Sequence, residues 1–377
     1  MSAKFPLAPL LAGFVVFGAG PSGHAQEPMS PETGEVAAPV EPPPTWRFKL
    51  ADRPVKVVVL AGSIGAWPKQ PYAERLQKLC KHVEVKNLSK VGFGAFQLRQ
   101  RFKQQVLERL GQLKQPGTEH WLVFQGGLNS VGTPERTNHD IREMFVLAHA
   151  KGFKVVGLSL TPWGDESDKR WVGVGGLKYL RATTRVVDFV LGTLSPKEAL
   201  GDYTRQRRVG AEADWALEEQ ADVAVDLYRS ALRASGAPLR ELAGLERALG
   251  KDRAWQAAHA TWAPDAQTAA IQAEAAVAAE IPRWFLREEL RSFDHIHPNA
   301  EGHRLIAEAT CPKLPASWGC ECPTLPTPSP APGKPPVADP PVTSPPRVDQ
   351  PPAANLLLLL YPPWLRALLG WPRNSAR

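Results

Sequence analysis

A chain of 377 residues with 43% hydrophobic content can bury a sizeable core, in one large domain with extensions or in two domains. The formal net charge of +7 suits work near anionic lipids or polymers. The basic residues are spread out, with no zinc knuckle, RNA-reading signature or basic helix, which counts against a nucleic-acid partner. The 38 prolines crowd toward the two ends, so the packed part lies between them.

Residues 1–25 read as a secretory signal peptide. Lys4 supplies the positive start, Phe5 to Ala19 is apolar, and Gly23-His24-Ala25 offers the small residues of a cleavage site near Ala25. The alternative is an uncleaved anchor helix, which Pro6, Pro9 and Pro21 would interrupt. The expected location is therefore exported: periplasmic, envelope-associated or secreted. Residues 26–50, rich in Pro, Glu and Ala, read as a disordered linker.

Val57 to Ala61 is an unbroken apolar run, the pattern of a strand buried on both faces; with Val55 and Lys56 it makes the first expected strand. Gly62-Ser63-Ile64-Gly65 follows at once. A hydroxyl residue between glycines at a strand's carboxyl end stands where open α/β sheets hold ligands, so Ser63 is the candidate nucleophile, against the plainer reading of a turn residue. A helix over 70–82 would aim its positive amino end at the same place. Val83 to Leu88 reads as the second strand, followed by the glycine-bearing loop Val91-Gly92-Phe93-Gly94-Ala95 and an amphipathic helix over 97–113. His120 to Gln125 is the third strand, ending in Gly126-Gly127-Leu128-Asn129-Ser130. A helix over 135–150, a fourth strand over 154–160, a helix over 178–194 and a fifth strand over 222–228 complete the alternation. Strands alternating with helices predict an α/β fold, a five-stranded parallel sheet of flavodoxin-like type with crossover helices on both faces.

Residues 234–289 break the pattern with two helical stretches, 239–249 and 267–281. They read as an insertion, either a cap over the site or packing on the sheet's flank. Ser292-Phe293-Asp294-His295-Ile296-His297-Pro298-Asn299 comes next, then a helix to about Thr310. Pro298 keeps His297 out of helical geometry, and Asn299 is an expected N-cap. After Cys322 the chain turns to a proline-rich linker, 323–354, and an apolar tail, 355–377. The tail is too short and too broken for an ordinary span. Its readings are a segment that folds back, an interfacial contact with a membrane surface, or a partner-binding motif.

Export makes the four cysteines candidates for disulfides. Cys320 and Cys322 are too close to pair. That leaves Cys311–Cys320 with Cys80–Cys322, or Cys80–Cys320 with Cys311–Cys322, unless Cys80 stays a buried thiol. The spacing matches no common zinc template.

Four loops at strand ends thus carry Ser63, Gly94, Asn129 and the Asp294/His297 pair, and these are the parts of a serine hydrolase. A nucleophile needs a base, and the base needs a carboxylate to fix its tautomer. Asp294, three residues before His297 on a turn, can reach Nδ1 and leave Nε2 for Ser63. Backbone N–H groups of Ser63 and Gly94 with the Asn129 amide supply donors for an oxyanion. His295 reads as structural or substrate-facing. A metal on His295 and His297 lacks a third ligand, so no metal or cofactor is expected. Trp67 and Trp163 line a pocket or pack, and His303 reads as a surface residue.

These blocks resemble the SGNH, or GDSL, hydrolases. Ala61-Gly62-Ser63-Ile64 looks like that family's first block, Val91-Gly92-Phe93-Gly94-Ala95 like the second, Gly127-Leu128-Asn129-Ser130 like the third, and Asp294-His295-Ile296-His297-Pro298-Asn299 like the last. The similarity spans about Lys56 to Ala309, apart from the insertion, within a hydrolase-like domain over 51–322. It implies a three-layer α/β/α fold and a metal-independent acyl hydrolase, with Ser63 as nucleophile, His297 as base, Asp294 as its partner, and Gly94 and Asn129 completing the oxyanion hole. Gly62 and Ser130 stand where the family often has Asp, which bears on loop rigidity rather than on the chemistry. The implied activity is hydrolysis of carboxylic esters, on O-acetylated glycans or lipid esters; transfer of the acyl group to another alcohol and a non-catalytic envelope module are the alternatives.

Overall fold

A computed structural model describes residues 46–207 and 214–323. The expected signal peptide, most of the first linker, the proline-rich linker and the apolar tail lie outside the described residues. In chain order the elements are β1 (Val55–Ala61), α1 (Tyr72–Leu79), β2 (Val83–Asn87), α2 (Ala95–Gln105), α3 (Leu110–Leu113), β3 (Glu119–Gln125), α4 (Pro134–Ala150), β4 (Lys154–Leu158), α5 (Gly176–Val190), α6 (Pro196–Leu200), β5 (Val223–Val225), α7 (Leu242–Lys251), α8 (Arg253–Ala258), α9 (Pro264–Ala279) and α10 (Ala300–Thr310). The helix expected over 97–113 divides at Val106 into α2 and α3, joined by a 3-10 turn.

The five strands are all parallel, in the order β2-β1-β3-β4-β5, which is the flavodoxin-like order expected from the sequence. Chain progress along the sheet reverses between β1 and β3. The crevice outside their carboxyl ends is therefore the topological switch point, where such sheets hold ligands. Ser63 follows β1 and Asn129 follows β3, so topology alone sends both to one place.

Side-chain alternation along the strands builds two cores. Val58, Leu60, Leu122, Phe124 and Val155 face the helices α2, α4 and α5, meeting Leu98, Phe102, Ile141, Phe145 and Val186. Val57, Val59, Trp121, Val123 and Leu158 face α1 and α10, meeting Tyr72, Leu76 and Ile306. Every residue of β1 is buried, as a central strand covered on both faces requires. The described residues form the expected three-layer α/β/α sandwich.

Two strands end earlier than their apolar runs. The hydroxyl of Ser159 accepts from the Leu227 and Tyr228 N–H groups at 2.9 and 3.1 Å, so a side chain replaces the β4–β5 ladder past Leu158. Trp46 and Phe48, placed in the first linker by composition, are buried against the sheet. The Lys49 and Leu50 N–H groups donate to the Glu84 carboxylate, which also pairs with buried Lys56 at 2.8 Å.

The insertion packs on the flank. Leu245 and Leu249 of α7 and Ala275 and Ala278 of α9 join the core cluster that includes α5. Cys80 bonds Cys320, and Cys311 bonds Cys322. This is the second of the two pairings the spacing allowed, with no free thiol at Cys80. The Cys80–Cys320 bond ties the end of α1 to the chain beyond α10, two elements that cover the same sheet face.

Candidate active site

β1 delivers Ser63 on a short turn. The Ala66 N–H returns to the Gly62 carbonyl at 3.1 Å, and the Trp67 N–H to the Ile64 carbonyl at 3.3 Å. The turn is braced from the end of β2. Ser89 Oγ accepts from the Ala61 N–H at 3.0 Å, and the Asn87 amide donates to the Gly65 carbonyl at 2.7 Å. A side chain at Gly65 would strike Ser89 Oγ at 2.6 Å, so glycine is needed there for the two segments to meet. Sequence reading gave Ser89 and Asn87 no role, because their partners are 28 and 22 positions away.

The last block closes on the same point. Asp294 Oδ1 accepts from the Ile296 and His297 N–H groups at 2.9 and 2.8 Å, which folds the loop into a tight turn around its own carboxylate. Asp294 Oδ2 stands 2.8 Å from His297 Nδ1, and His297 Nε2 stands 2.8 Å from Ser63 Oγ. The carboxylate holds the ring proton on Nδ1, which leaves Nε2 to accept from the serine hydroxyl. Partial burial works against ionising Asp294, but the two backbone N–H groups and the His297 ring outweigh it and hold the carboxyl below its usual range.

Asn299 anchors this loop to α10. Its Oδ1 caps the helix by accepting from the Glu301 and Gly302 N–H groups at 3.0 and 3.1 Å. Its Nδ2 donates to the Glu289 and Arg291 carbonyls at 2.8 and 3.1 Å. Asn299→Ala removes both functions and is expected to cost about 1–2 kcal/mol, read as a lower urea midpoint. Asn299→Asp keeps the cap alone and should recover part of it.

The second and third blocks face each other across the depression beside Ser63. Gly62, Ser63, Ile64, Phe93, Gln125, Gly126, Gly127, Leu128 and Asn129 line it, and none of its lining comes from the insertion among the described residues. The Asn129 amide donates one proton to the Phe93 carbonyl at 3.1 Å, which fixes its plane and leaves the second proton for another acceptor. Gly94 is the N-cap of α2, and its N–H donates to Gln97 Oε1 at 3.1 Å. That bond has to open before Gly94 can donate to a substrate. Ser130 knits the two loops: its hydroxyl accepts from the Ala95 N–H at 3.2 Å and donates to the Gly127 carbonyl at 3.3 Å. Gly127 itself has φ of 105°, a conformation that favours glycine.

Three histidines separate by environment. His295 turns away from His297 toward the loop after β4, with Nε2 2.8 Å from Asp168 Oδ2 and Nδ1 3.7 Å from Asp165 Oδ2. Its backbone carbonyl accepts from the Gly164 N–H at 2.8 Å. The two rings thus address different partners. His303 is not a surface residue as expected; it is fully buried, because α10 turns it inward beneath Trp67 and Tyr72. Burial, then the charges of Arg75 and His297, push its pKa down to about 4. Trp163 is core: its indole N–H donates to Thr183 at 3.2 Å and its ring meets Trp171. Trp67, by contrast, is part-exposed at the site. Its ring lies within 10° of parallel to Phe293, at 6.0 Å, and within 23° of His297, at 6.2 Å.

No family model matches the chain, and no curated protein does. Solved structures similar to it include a GDSL-like lipase from Bacteroides thetaiotaomicron, at 14% identity and TM-score 0.35, covering 67% of this chain and 84% of the other. A member of the lipolytic protein G-D-S-L family from Veillonella parvula follows at 11% identity and TM-score 0.35, covering 68% and 96%. A catalytic mutant of an acetylxylan esterase from Geobacillus stearothermophilus is similar at 11% identity and TM-score 0.35, covering 71% and 94%.

Proposed function

We propose that this chain is an exported serine esterase of the SGNH, or GDSL, hydrolase family. One observation carries the reading: Ser63 and His297, 234 positions apart, meet at 2.8 Å with Asp294 behind the imidazole at 2.8 Å. Ser63 Oγ attacks the ester carbonyl as its proton passes to His297 Nε2, and the Asp294 carboxylate steadies the imidazolium. The oxyanion takes hydrogen bonds from the Ser63 N–H and the free Asn129 amide proton, joined by Gly94 once Gln97 releases it. His297 then protonates the departing alcohol. Water, deprotonated by the same imidazole, attacks the acyl-enzyme, and Ser63 leaves with the proton.

Two disulfides support an oxidising compartment. A fluorophosphonate probe should label Ser63, located by peptide mass spectrometry; an intact folded protein that takes no label overturns the assignment.

His295 has a positioning part in this scheme. It ties the loop bearing Asp294 and His297 to Asp165 and Asp168, whose carboxyls stay below their usual range. In each case burial opposes ionisation and is outweighed by hydrogen bonds, from Ser167 and from Arg170 respectively. His295→Ala should lower kcat about ten- to a hundredfold by letting the imidazole drift from Ser63, with KM changed less, while His295→Asn, which keeps a polar side chain facing Asp168, recovers part of the rate.

A further inference from the structure

The alcohol half of the substrate has no obvious container, yet one large aromatic side chain stands in water beside the catalytic imidazole. Phe293 is 76% exposed, although it lies in the loop that carries Asp294 and His297. Its ring is held in a set pose: 5.1 Å from the His297 ring at 23°, and 6.0 Å from Trp67 at 10°. Three rings of nearly one orientation therefore form a stepped platform, with Phe293 outermost. An exposed ring costs free energy in water unless something covers it during function.

The direction of proton transfer limits where that something lies. In the proposed mechanism His297 protonates the departing alcohol, so the alcohol half lies on the imidazole's side of Ser63, where the Phe293 ring stands 5.1 Å from the His297 ring. The depression lined by Ser63 and Asn129 is left to the oxyanion.

We propose that Phe293 and Trp67 form a stacking platform for a pyranose ring, which makes the substrate class an ester of a sugar hydroxyl. The proposal rests on the esterase reading above. A pyranose presents C–H bonds from one face, and the negative face of an aromatic ring attracts their positive hydrogens while shedding water. A sugar lying on Phe293 keeps its hydroxyls toward solvent and can turn one ester toward Ser63. A flat open platform also suits a ring within an oligosaccharide better than a buried pocket would.

The test compares fully O-acetylated methyl xyloside and methyl glucoside with methyl acetate, which has no ring to stack, in a pH-stat. The wild type should favour the glycosides in kcat/KM. Phe293→Ala should lower the ratio of glycoside to methyl acetate kcat/KM about tenfold, chiefly through KM, and Phe293→Trp should restore it. Because a ratio is read, any disturbance of His297 by the truncation cancels. An unchanged ratio overturns the platform, as does a wild-type preference for 4-nitrophenyl dodecanoate over the acetate that depends on Phe293, which would instead mark a lipid-facing ring. A protein that takes no fluorophosphonate label and cleaves no ester defeats the esterase reading itself. One that is labelled and cleaves methyl acetate but gains nothing from the sugar defeats the platform alone.

Discussion

Ser63→Ala is expected to lower kcat for methyl acetate by about a millionfold, to the level set by background hydrolysis and contaminating esterase. The substitution removes one oxygen and leaves the backbone turn intact, because the hydrogen bonds that brace it run through Gly62, Ile64, Gly65, Ser89 and Asn87 rather than through the Ser63 hydroxyl. Thermal melting should therefore move little, and the fluorophosphonate label should vanish. His297→Ala should cost nearly as much. The double variant should be no worse than either single one, since nucleophile and base act as one unit. Asp294→Asn should fall less far, about ten-thousandfold, because it keeps the shape of the turn but loses the charge that fixes the Nδ1 proton. Measurable turnover by purified Ser63→Ala at near wild-type rate would remove the acyl-enzyme from the mechanism, whatever the geometry.

The parts of this site that could be read from the sequence share a physical property: their conformations are set locally. β1 matches its expected bounds residue for residue, because a strand covered on both faces is written as an unbroken apolar run. The Asp294–His297 contact spans three positions, Pro298 bars the intervening residues from a helix, and Asn299 begins the next one, so the turn is encoded by its neighbours. What could not be read depends on distant chain. The bracing of Gly65 by Ser89 exists only once β1 and β2 lie side by side. The choice of Cys80–Cys320 over Cys80–Cys322 is made by α1 and the chain after α10 meeting on one sheet face. The insertion's packing on α5 exists only once α9 lies against that helix. Ser130 shows both sides at once: it stands where the family often has a carboxylate, yet its hydroxyl reaches the Ala95 N–H that lies across from it. The loops are joined by a different group than the resemblance implied.

His303 was misread for the same reason, and it yields the second large expected effect. Its place on a helix with polar neighbours looks like a surface position, but α10 lies against α1, and the ring is enclosed by Trp67 and Tyr72. Among the described residues neither ring nitrogen has a hydrogen-bond partner, so a proton there would be a buried, unpaired charge. Burial first, then repulsion from Arg75 on α1 and from His297, lowers the pKa from 6.5 to about 4. The unfolded chain takes up this proton below pH 6.5 and the folded one does not, so the unfolded state binds more protons and stability rises with pH across that window. The contribution is complete above pH 6.5 and is lost as pH falls toward 4, amounting to about 3 kcal/mol. His120 and His139 are lowered in the same direction, by burial first, so the wild type alone cannot assign the loss. Asp294, Asp165 and Asp168 lose their contributions only at lower pH, below the unfolded carboxyl range. The comparison that isolates the group is His303→Phe, which keeps an aromatic ring between Trp67 and Tyr72 and cannot titrate. Urea midpoints from pH 7.5 down to 4.5 should fall for the wild type and fall markedly less for the variant. Superimposable profiles would mean that the ring is reached by water and carries its proton in the fold.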